Sequence, residues 1–310
     1  MSSFTHGHKR LGRRSQLLPC LAILALTITC CHYARLGYIF PGALCALGAS
    51  SPTQPAASPA RELLNKARGD AGKMRQAYAS IKKLLHADPE DNDLKLAAAE
   101  AAVAVMRIES NANSLTCDFE GNKPVVRKQD TEANMKIWAE WAPVASELVK
   151  NVQESVGEEA FCNEASNFIL SVESTMYATS SKGIVSAVLS GKAISFLSSV
   201  TKLEAMHPEF DGLIYCVYWG AYYLAAPWPV TSTKKARNYF EKMVKARPAS
   251  RRNQYWAGVG AFMEGDYPAA QSYMERALRE ECASDSERDV CAFLTAEAGR
   301  TLQLLAGRQM

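Results

Sequence analysis

Acidic residues are missing from residues 1–61 of this sequence, where every charged side chain is basic. The six basic residues there are Lys9, Arg10, Arg13, Arg14, Arg35 and Arg61. Of the 35 basic residues in the chain, the other 29 accompany all 32 acidic residues in positions 62–310, a net charge of −3. Because this part is mildly acidic and has no basic stripe, the composition disfavours binding along a nucleic-acid backbone.

Motifs for metal binding and catalysis are also lacking. Only five histidines occur, and within residues 60–310 none has a second ligand at the spacing of a metal site. Nucleophile elbows, His–Cys pairs and metalloprotease motifs are absent from the sequence. Residues 190–193 resemble the end of a phosphate-binding loop, but Ser186 stands where its first glycine is needed, and no Ser or Thr follows Lys192. The sequence therefore predicts a non-enzymatic protein with no metal and no cofactor.

The acid-free start predicts a targeting or anchoring segment over residues 1–49. Residues 17–31 form a 15-residue run without charge, which is short for a membrane span of about 20 residues. A second apolar run covers residues 36–49, and residues 50–60 are a Ser/Pro/Ala-rich linker. We expect a helical domain over residues 61–310.

Three interpretations of the first segment stay open. It is a signal peptide cleaved near Ala49, a retained signal anchor, or an organellar presequence. Cys30 follows a bulky threonine, which is a poor context for lipidation. We expect association with a membrane through the N-terminus or an extracytoplasmic location. The alternative is an organelle, either a mitochondrion or a plastid.

Nine cysteines give no complete disulfide framework, because the number is odd. Four precede residue 50. Among the others, Cys117 could pair with Cys162, and Cys282 with Cys291, if the compartment is oxidising. Free thiols are equally compatible with the sequence, and Cys216 lies in an aromatic helix as a small buried side chain.

A repeat with a period of 34 residues is the clearest positive signal. Ala236, Phe240 and Met243 are followed one period later by Ala270, Met274 and Ala277. Turn and packing positions accompany the two copies: Pro248, Gly258, Gly265 and Tyr267. A third copy is formed by Ala77, Ile81, Leu84 and Pro89. Thirty-four residues is the period of the tetratricopeptide repeat, a helix–turn–helix unit that must stack on neighbours to bury its apolar face.

The fold prediction is therefore all-α, a TPR-like series of helical hairpins forming a solenoid or bundle. The predicted helices after the first hairpin cover residues 93–109, 130–154, 158–177, 181–206, 210–226 and 232–247. Residues 110–129 are predicted as an exposed loop, and no strand is expected. Asp211 is interpreted as part of a solvated face.

One aromatic helix is the main candidate for a binding surface. Residues 210–226 contain Tyr215, Tyr218, Trp219, Tyr222 and Tyr223, and Trp228 follows. Core packing explains most of these side chains. Since Tyr and Trp carry polar tips that need partners, some of them are candidates for lining a groove or pore. We select Tyr218, Tyr222 and Trp228 as binding residues and expect Trp219 to be structural.

Several passages between residues 134 and 278 resemble the T-component family of TRAP transporters, which are extracytoplasmic helical proteins of bacteria. The resemblance rests on IWAEWAPVASELV (137–149), KGIVSAVLSGKAISFLSSV (182–200), HPEFDGLIYCVYWGAYYLAAPWPV (207–230) and KKARNYFEKMVKARP (234–248). It implies an accessory role beside a solute receptor. It also implies a small hydrophobic or organic-acid ligand that passes through the helical bundle.

The chain is also similar to the regulators of microtubule dynamics, a eukaryotic family of membrane-tethered TPR-like proteins. Helix order, a Pro-Trp loop and the tail at residues 284–305 carry this second likeness. It implies an organelle-tethered adaptor that binds protein partners. Both readings are scaffold or binding functions, and they differ in the side of the membrane on which residues 60–310 lie.

Overall fold

The computed structural model describes residues 58–183, 192–226 and 229–308, all of them within one compact unit that spans residues 53–310. The predicted targeting segment, most of the linker and Trp228 lie outside the described residues. The all-α prediction is confirmed, because helices account for most of what is described. No helix in these ranges combines the length and the apolarity needed to cross a bilayer.

Twelve α-helices follow one another in the described ranges. They are α1 (Pro59–Ala67), α2 (Ala71–Ala87), α3 (Asn92–Glu109), α4 (Glu132–Val156), α5 (Glu158–Asn163), α6 (Ala165–Ser180), α7 (Lys192–Met206), α8 (Ile214–Ala225), α9 (Thr233–Ala246), α10 (Arg251–Met263), α11 (Tyr267–Arg279) and α12 (Asp285–Ala306). Most of these helices begin after a residue whose side chain accepts a hydrogen bond from a backbone N–H of the first turn. The helix itself offers no acceptor to that N–H. These caps are Ser58, Asp70, Asp91, Thr131, Ser232, Ser250, Asp266 and Ser284.

A β-hairpin lies where the sequence predicted an exposed loop, so that prediction was wrong. Strands β1 (Thr116–Glu120) and β2 (Lys123–Arg127) pair in antiparallel register. Gly121 supplies a φ of +60° in the two-residue turn between them. Cys117 is fully buried, and both strands contact α10. Each strand has only five residues, too few for an alternating pattern to stand out in the sequence.

Two predicted helices begin or break elsewhere than expected. The helix predicted over residues 158–177 is split into α5 and α6, because Glu164 between them has an extended backbone. The helix predicted from residue 210 begins at Ile214, after a left-handed turn in which Asp211, Gly212 and Leu213 all have positive φ. The helix predicted over residues 181–206 is described as helical from Lys192.

The 34-residue repeat corresponds to two consecutive hairpins, α8–α9 and α10–α11. The six apolar side chains of the signature are completely buried: Ala236, Phe240, Met243, Ala270, Met274 and Ala277. Gly265 lies in the turn between α10 and α11 with a φ of +76°, and Tyr267 begins α11. Pro248 is exposed in the turn after α9. Seven residues separate α8 from α9, whereas three separate α10 from α11.

The third copy of the signature matches only in part. Ala77 and Ile81 are buried in α2, and Pro89 is exposed in the turn that follows. Leu84, however, is 41% exposed, whereas Met243 at the same relative position is inaccessible. The described residues therefore cover Leu84 less completely than they cover Met243.

Glycines allow the paired helices of each repeat to approach closely. A Cβ added to Gly258 would lie 2.7 Å from Met274 Cε, so the two repeat positions touch. Gly220 of α8 is tighter, since its Cβ would lie 2.1 Å from Phe240 Cε1. Distances this short exclude any side chain at the glycine unless the facing side chain moves.

We expect Gly220→Ala to lower the free energy of unfolding by about 1–3 kcal/mol, because the added methyl overpacks the ring of Phe240. Gly299→Ala is the matched control, since a Cβ at this helical position meets nothing within 4 Å. The control should be neutral or stabilise by up to about 1 kcal/mol. Urea unfolding measures both, and equal effects would contradict the proposed contact.

Two hydrophobic clusters form the interior of the described unit. One is built by α1 to α6, and the other by the hairpin and α6 to α12. The last helix, α12, also packs on α3 and β1, which are distant in sequence. In an open solenoid each repeat contacts only its neighbours. Here the contact between α12 and α3 closes the series into a bundle, and it brings charged side chains together.

Candidate functional site

Three arginines from distant parts of the chain are almost inaccessible to water. Arg68 follows α1, Arg107 lies in the last turn of α3, and Arg252 lies in the first turn of α10. Their side chains are 3%, 6% and 5% exposed, respectively. A buried guanidinium is tolerated only when it is paired, because the loss of hydration is otherwise uncompensated.

Arg107 is paired with two carboxylates that come from different helices. Its Nε lies 3.3 Å from Glu173 Oε1 on α6, and its Nη1 lies 3.2 Å from Asp289 Oδ2 on α12. Tyr218 on α8 donates its hydroxyl to Glu173 Oε1 at 2.9 Å. Arg68 Nη1 contacts the same Asp289 oxygen at 3.1 Å. The network thus joins helices of both hydrophobic clusters.

Arg252 organises a second network beside the first. Its Nη1 donates to Asp211 Oδ2 at 3.0 Å and to Ser286 Oγ at 2.9 Å. Ser286 in turn donates to Asp211 Oδ2 at 2.6 Å. Asp211 is therefore a buried ion-pair partner with a side chain 10% exposed, which corrects its interpretation as part of a solvated face. Its backbone φ of 45° is a left-handed conformation that costs energy in a residue other than glycine.

The two networks hold their carboxylates in different ways. Burial opposes the ionisation of Asp211, but Arg252 and the nearby serine hydroxyls outweigh it and keep the pKa of Asp211 below its usual range. For Asp289 burial prevails over Arg107 and Arg68, and the pKa of Asp289 is raised. Asp289 Oδ1 has no hydrogen-bond partner in the described part of the chain.

A cavity of about 320 Å³ lies between these networks. Its wall combines an apolar side with hydroxyl and charged groups. The apolar residues are Ile169, Leu170 and Phe210, the hydroxyl residues are Ser166, Ser284 and Ser286, and the charged residues are Arg61, Glu100, Arg107, Asp211 and Asp285. This combination of an apolar wall with a few converging polar groups is typical of small-molecule sites.

A disulfide fixes the segment that forms one rim of the cavity. Cys282 is bonded to Cys291, which attaches the residues before α12 to the second turn of that helix. Arg251 supports the same segment by donating to the carbonyl oxygens of Ala277 and Glu280. The other suggested pair does not form, because Cys117 and Cys162 are both free thiols. Burial of the Cys117 thiol raises its pKa to about 12.

We expect the double variant Cys282→Ser/Cys291→Ser to lose about 2–3 kcal/mol of unfolding free energy, the chain-entropy value for a loop this short. Cys162→Ser, which removes a free and partly accessible thiol, is the control and should change stability little. Chemical denaturation under non-reducing conditions measures both. A double variant as stable as the control would show that the bond contributes nothing to the fold.

The predicted binding residues on α8, Tyr218 and Tyr222, lie one helical turn apart and differ in burial. Tyr218 is buried and bonded to Glu173, so it belongs to the charged network. Tyr222 is half-buried at the edge of Trp219, with ring centroids 6.0 Å apart. Trp219 donates its indole N–H to Glu204 at 3.1 Å. Tyr218 thus contacts the charged network, and Tyr222 packs beside Trp219.

A stack of aromatic rings occupies the α8–α9 surface. The rings of Trp219, Tyr223 and Tyr239 lie within 26° of parallel, and their centroids are 6.1 to 6.3 Å apart. Lys235 lies over Tyr223 at 5.1 Å. Since the three rings are half-buried, they are held by the fold and still reach solvent in part.

Sequence reasoning missed Arg68, Arg107, Glu173, Arg252 and Asp289 as members of a site. One signal was present, because Arg107 ends a run of small apolar residues in α3 and Glu173 lies within an apolar stretch of α6. A charged residue at a position that helical periodicity assigns to the core needs a buried partner. The partners themselves could not be named from the sequence.

Comparison with known proteins gives no match, either to a protein-family model or to a curated protein. Nor does any group of three or more His, Cys, Asp or Glu side chains among the described residues have the arrangement of a metal site. The charged networks and the cavity are thus the features that bear on function.

Proposed function

We propose that this chain is a non-enzymatic binding protein and that the cavity between the two networks is its ligand site. The cavity carries the proposal. Its charged groups are held in place by ion pairs from several helices, so a ligand would meet an ordered set of donors and acceptors. Buried ion pairs add little net stability compared with apolar packing, and a binding role explains why they are present.

The compartment we favour is extracytoplasmic, in an accessory role for a solute transport system. The Cys282–Cys291 bond supports this choice, because disulfides persist mainly in oxidising compartments. The resemblance to T-components points in the same direction. The choice of an extracytoplasmic compartment is tested on denatured protein from its native cells. The thiols that react with a maleimide are counted before and after reduction. Two additional thiols after reduction would support it, and no increase would contradict it.

A second candidate is a membrane- or organelle-tethered adaptor that binds protein partners, as the microtubule-dynamics regulators suggest. The stack of Trp219, Tyr223 and Tyr239 favours it, because aromatic side chains are enriched at protein interfaces. No increase in thiols after reduction would favour this adaptor over the first candidate.

The ligand site is tested by blocking the cavity. Ser166 lines it and is exposed at the surface of α6, so Ser166→Trp should narrow the mouth without disturbing the core. Asn163→Trp is the control, since Asn163 is exposed at the end of α5 and does not line the cavity. The purified full chain is screened by thermal unfolding against small amines, carboxylic acids and neutral alcohols. A stabilising compound should lose its effect only in Ser166→Trp, and a screen with no stabilising compound would contradict the proposal.

A further inference from the structure

The charges on the cavity wall do not balance. Among the described residues, the wall carries three carboxylates, Glu100, Asp211 and Asp285, and two guanidinium groups, Arg61 and Arg107. Direct ion-pair partners bring each sign to five, since they add Glu173 and Asp289 to the carboxylates and Arg68, Arg252 and Arg288 to the guanidinium groups. Among those side chains no more than 15% exposed, one negative charge is left over, because Asp285, Arg61 and Arg288 drop out.

The buried arginines are also already engaged. All three nitrogens of the Arg107 guanidinium contact carboxylate oxygens. Both terminal nitrogens of Arg252 contact Asp211. A carboxylate or phosphate entering the cavity would find only Arg61 accessible, at 45% exposure, and would add to the negative excess.

Acceptors for a cation, in contrast, remain within reach. Each carboxylate has about four acceptor positions, and Asp211 and Asp285 on the wall use only part of theirs for arginine and serine. Behind the wall, the completely buried Asp289 shares one oxygen between Arg68 and Arg107, while its Oδ1 accepts no hydrogen bond from the described residues. The hydroxyls of Ser284 and Ser286 can accept as well.

The remaining side of the wall is apolar. Ile169 and Leu170 are buried members of α6, and Phe210 is half-buried in the left-handed turn that carries Asp211. A hydrocarbon group would gain free energy by displacing water from these side chains. The ring of Phe210 could also face a cation.

We infer that the cavity binds a small organic cation, namely a primary ammonium or guanidinium group attached to a short hydrocarbon or aromatic group. The cationic end lies among Asp211, Asp285 and the serines of the α12 start, and the apolar part lies against Ile169, Leu170 and Phe210. This inference rests on the proposed function. The same chemistry is found in free amines and in lysine side chains, so the source must be distinguished by experiment.

Titration calorimetry with the purified full chain compares three probes of similar size. Phenethylamine carries the inferred groups, 3-phenylpropionate reverses the charge, and N-acetyl-lysine amide represents a lysine side chain. We expect phenethylamine to bind at least about tenfold more tightly than 3-phenylpropionate, the factor for one charge-assisted hydrogen bond. Equal or tighter binding of the acid would overturn the inference and leave the proposed ligand site intact. No binding of these probes, together with a screen lacking any stabilising compound, would remove both.

Asp285→Asn provides the matched test of charge. Asp285 lies on the cavity wall and is 40% exposed, so its loss should be tolerated by the fold. We expect this variant to weaken phenethylamine binding about tenfold. Asp130→Asn, an exposed aspartate that does not line the cavity, should leave the affinity unchanged. Unchanged affinity in Asp285→Asn would overturn the assigned position of the cation.

If N-acetyl-lysine amide binds as tightly as phenethylamine, the lysine of a protein partner is the source, and if it binds weakly, a free amine is.

Discussion

Arg107→Met is expected to lower the free energy of unfolding by about 3–5 kcal/mol, although methionine fits the space and is apolar. The loss arises from the buried carboxylates that lose their partner, rather than from the contacts of the removed side chain. Glu173 and Asp289, with side chains 6% and 0% exposed, would stay buried without the guanidinium that pairs with both of them. Urea unfolding of the purified chain, followed by far-UV circular dichroism, measures the change.

Arg127→Met is the matched control for this prediction. Arg127 on β2 also pairs with two carboxylates, Asp118 at 2.9 Å and Glu120 at 2.8 Å, but its side chain is 49% exposed. Solvent screens such pairs, so the control should change stability little. Adding Glu173→Gln to Arg107→Met should restore part of the loss, because it removes one uncompensated charge. Similar losses in Arg107→Met and Arg127→Met would show that the contribution of the Arg107 network to stability does not depend on its burial.

The helical hairpins could be predicted from the sequence because their signals are local. A 34-residue spacing links Phe240 to Met274, and both lie in the core of their hairpins. N-caps are local in the same way, since a capping residue and its helix are adjacent in the chain. The hairpin at residues 116–127 was missed, although Gly121-Asn122 is a known two-residue turn signal.

The charged networks could not be predicted, because their partners are far apart in the sequence. Arg107 and Glu173 are separated by 66 residues, Arg107 and Asp289 by 182, and Arg68 and Asp289 by 221. No local sequence feature of either residue identifies its ion-pair partner. Their meeting depends on α12 packing against α3, a contact that the repeat pattern does not imply.

Asp211 shows how the local and the distant information combine. The sequence prediction placed Asp211 in the helix that began at residue 210, although it is followed by Gly212, and an Asp-Gly pair is common in turns. The buried Arg252 then holds Asp211 in a left-handed conformation and turns its carboxylate into a wall of the cavity. The residue that was interpreted as part of a solvated face is thus a buried ion-pair partner that lines the cavity.

The second large effect concerns one position of the repeat that occurs in two environments. Met243→Ala should lower the free energy of unfolding by about 2–5 kcal/mol, because Met243 is fully buried among the hairpins α8–α9 and α10–α11. Leu84→Ala, at the same relative position in α2, should cost less than about 1 kcal/mol, since Leu84 is 41% exposed. Both helices are capped and of similar length, so differences in helix propensity contribute little.

Urea unfolding of both variants measures the two losses of unfolding free energy. The same dependence of free energy on urea concentration (m-value) is applied to both, so the losses can be compared directly. The large difference follows from the structure alone, because the sequence signature treats the two positions as equivalent. Comparable losses in both variants would mean that Leu84 is covered by a part of the chain outside the described residues or by another molecule. The third copy of the repeat would then be packed like the first two, and the edge of the bundle at α2 would not be a surface.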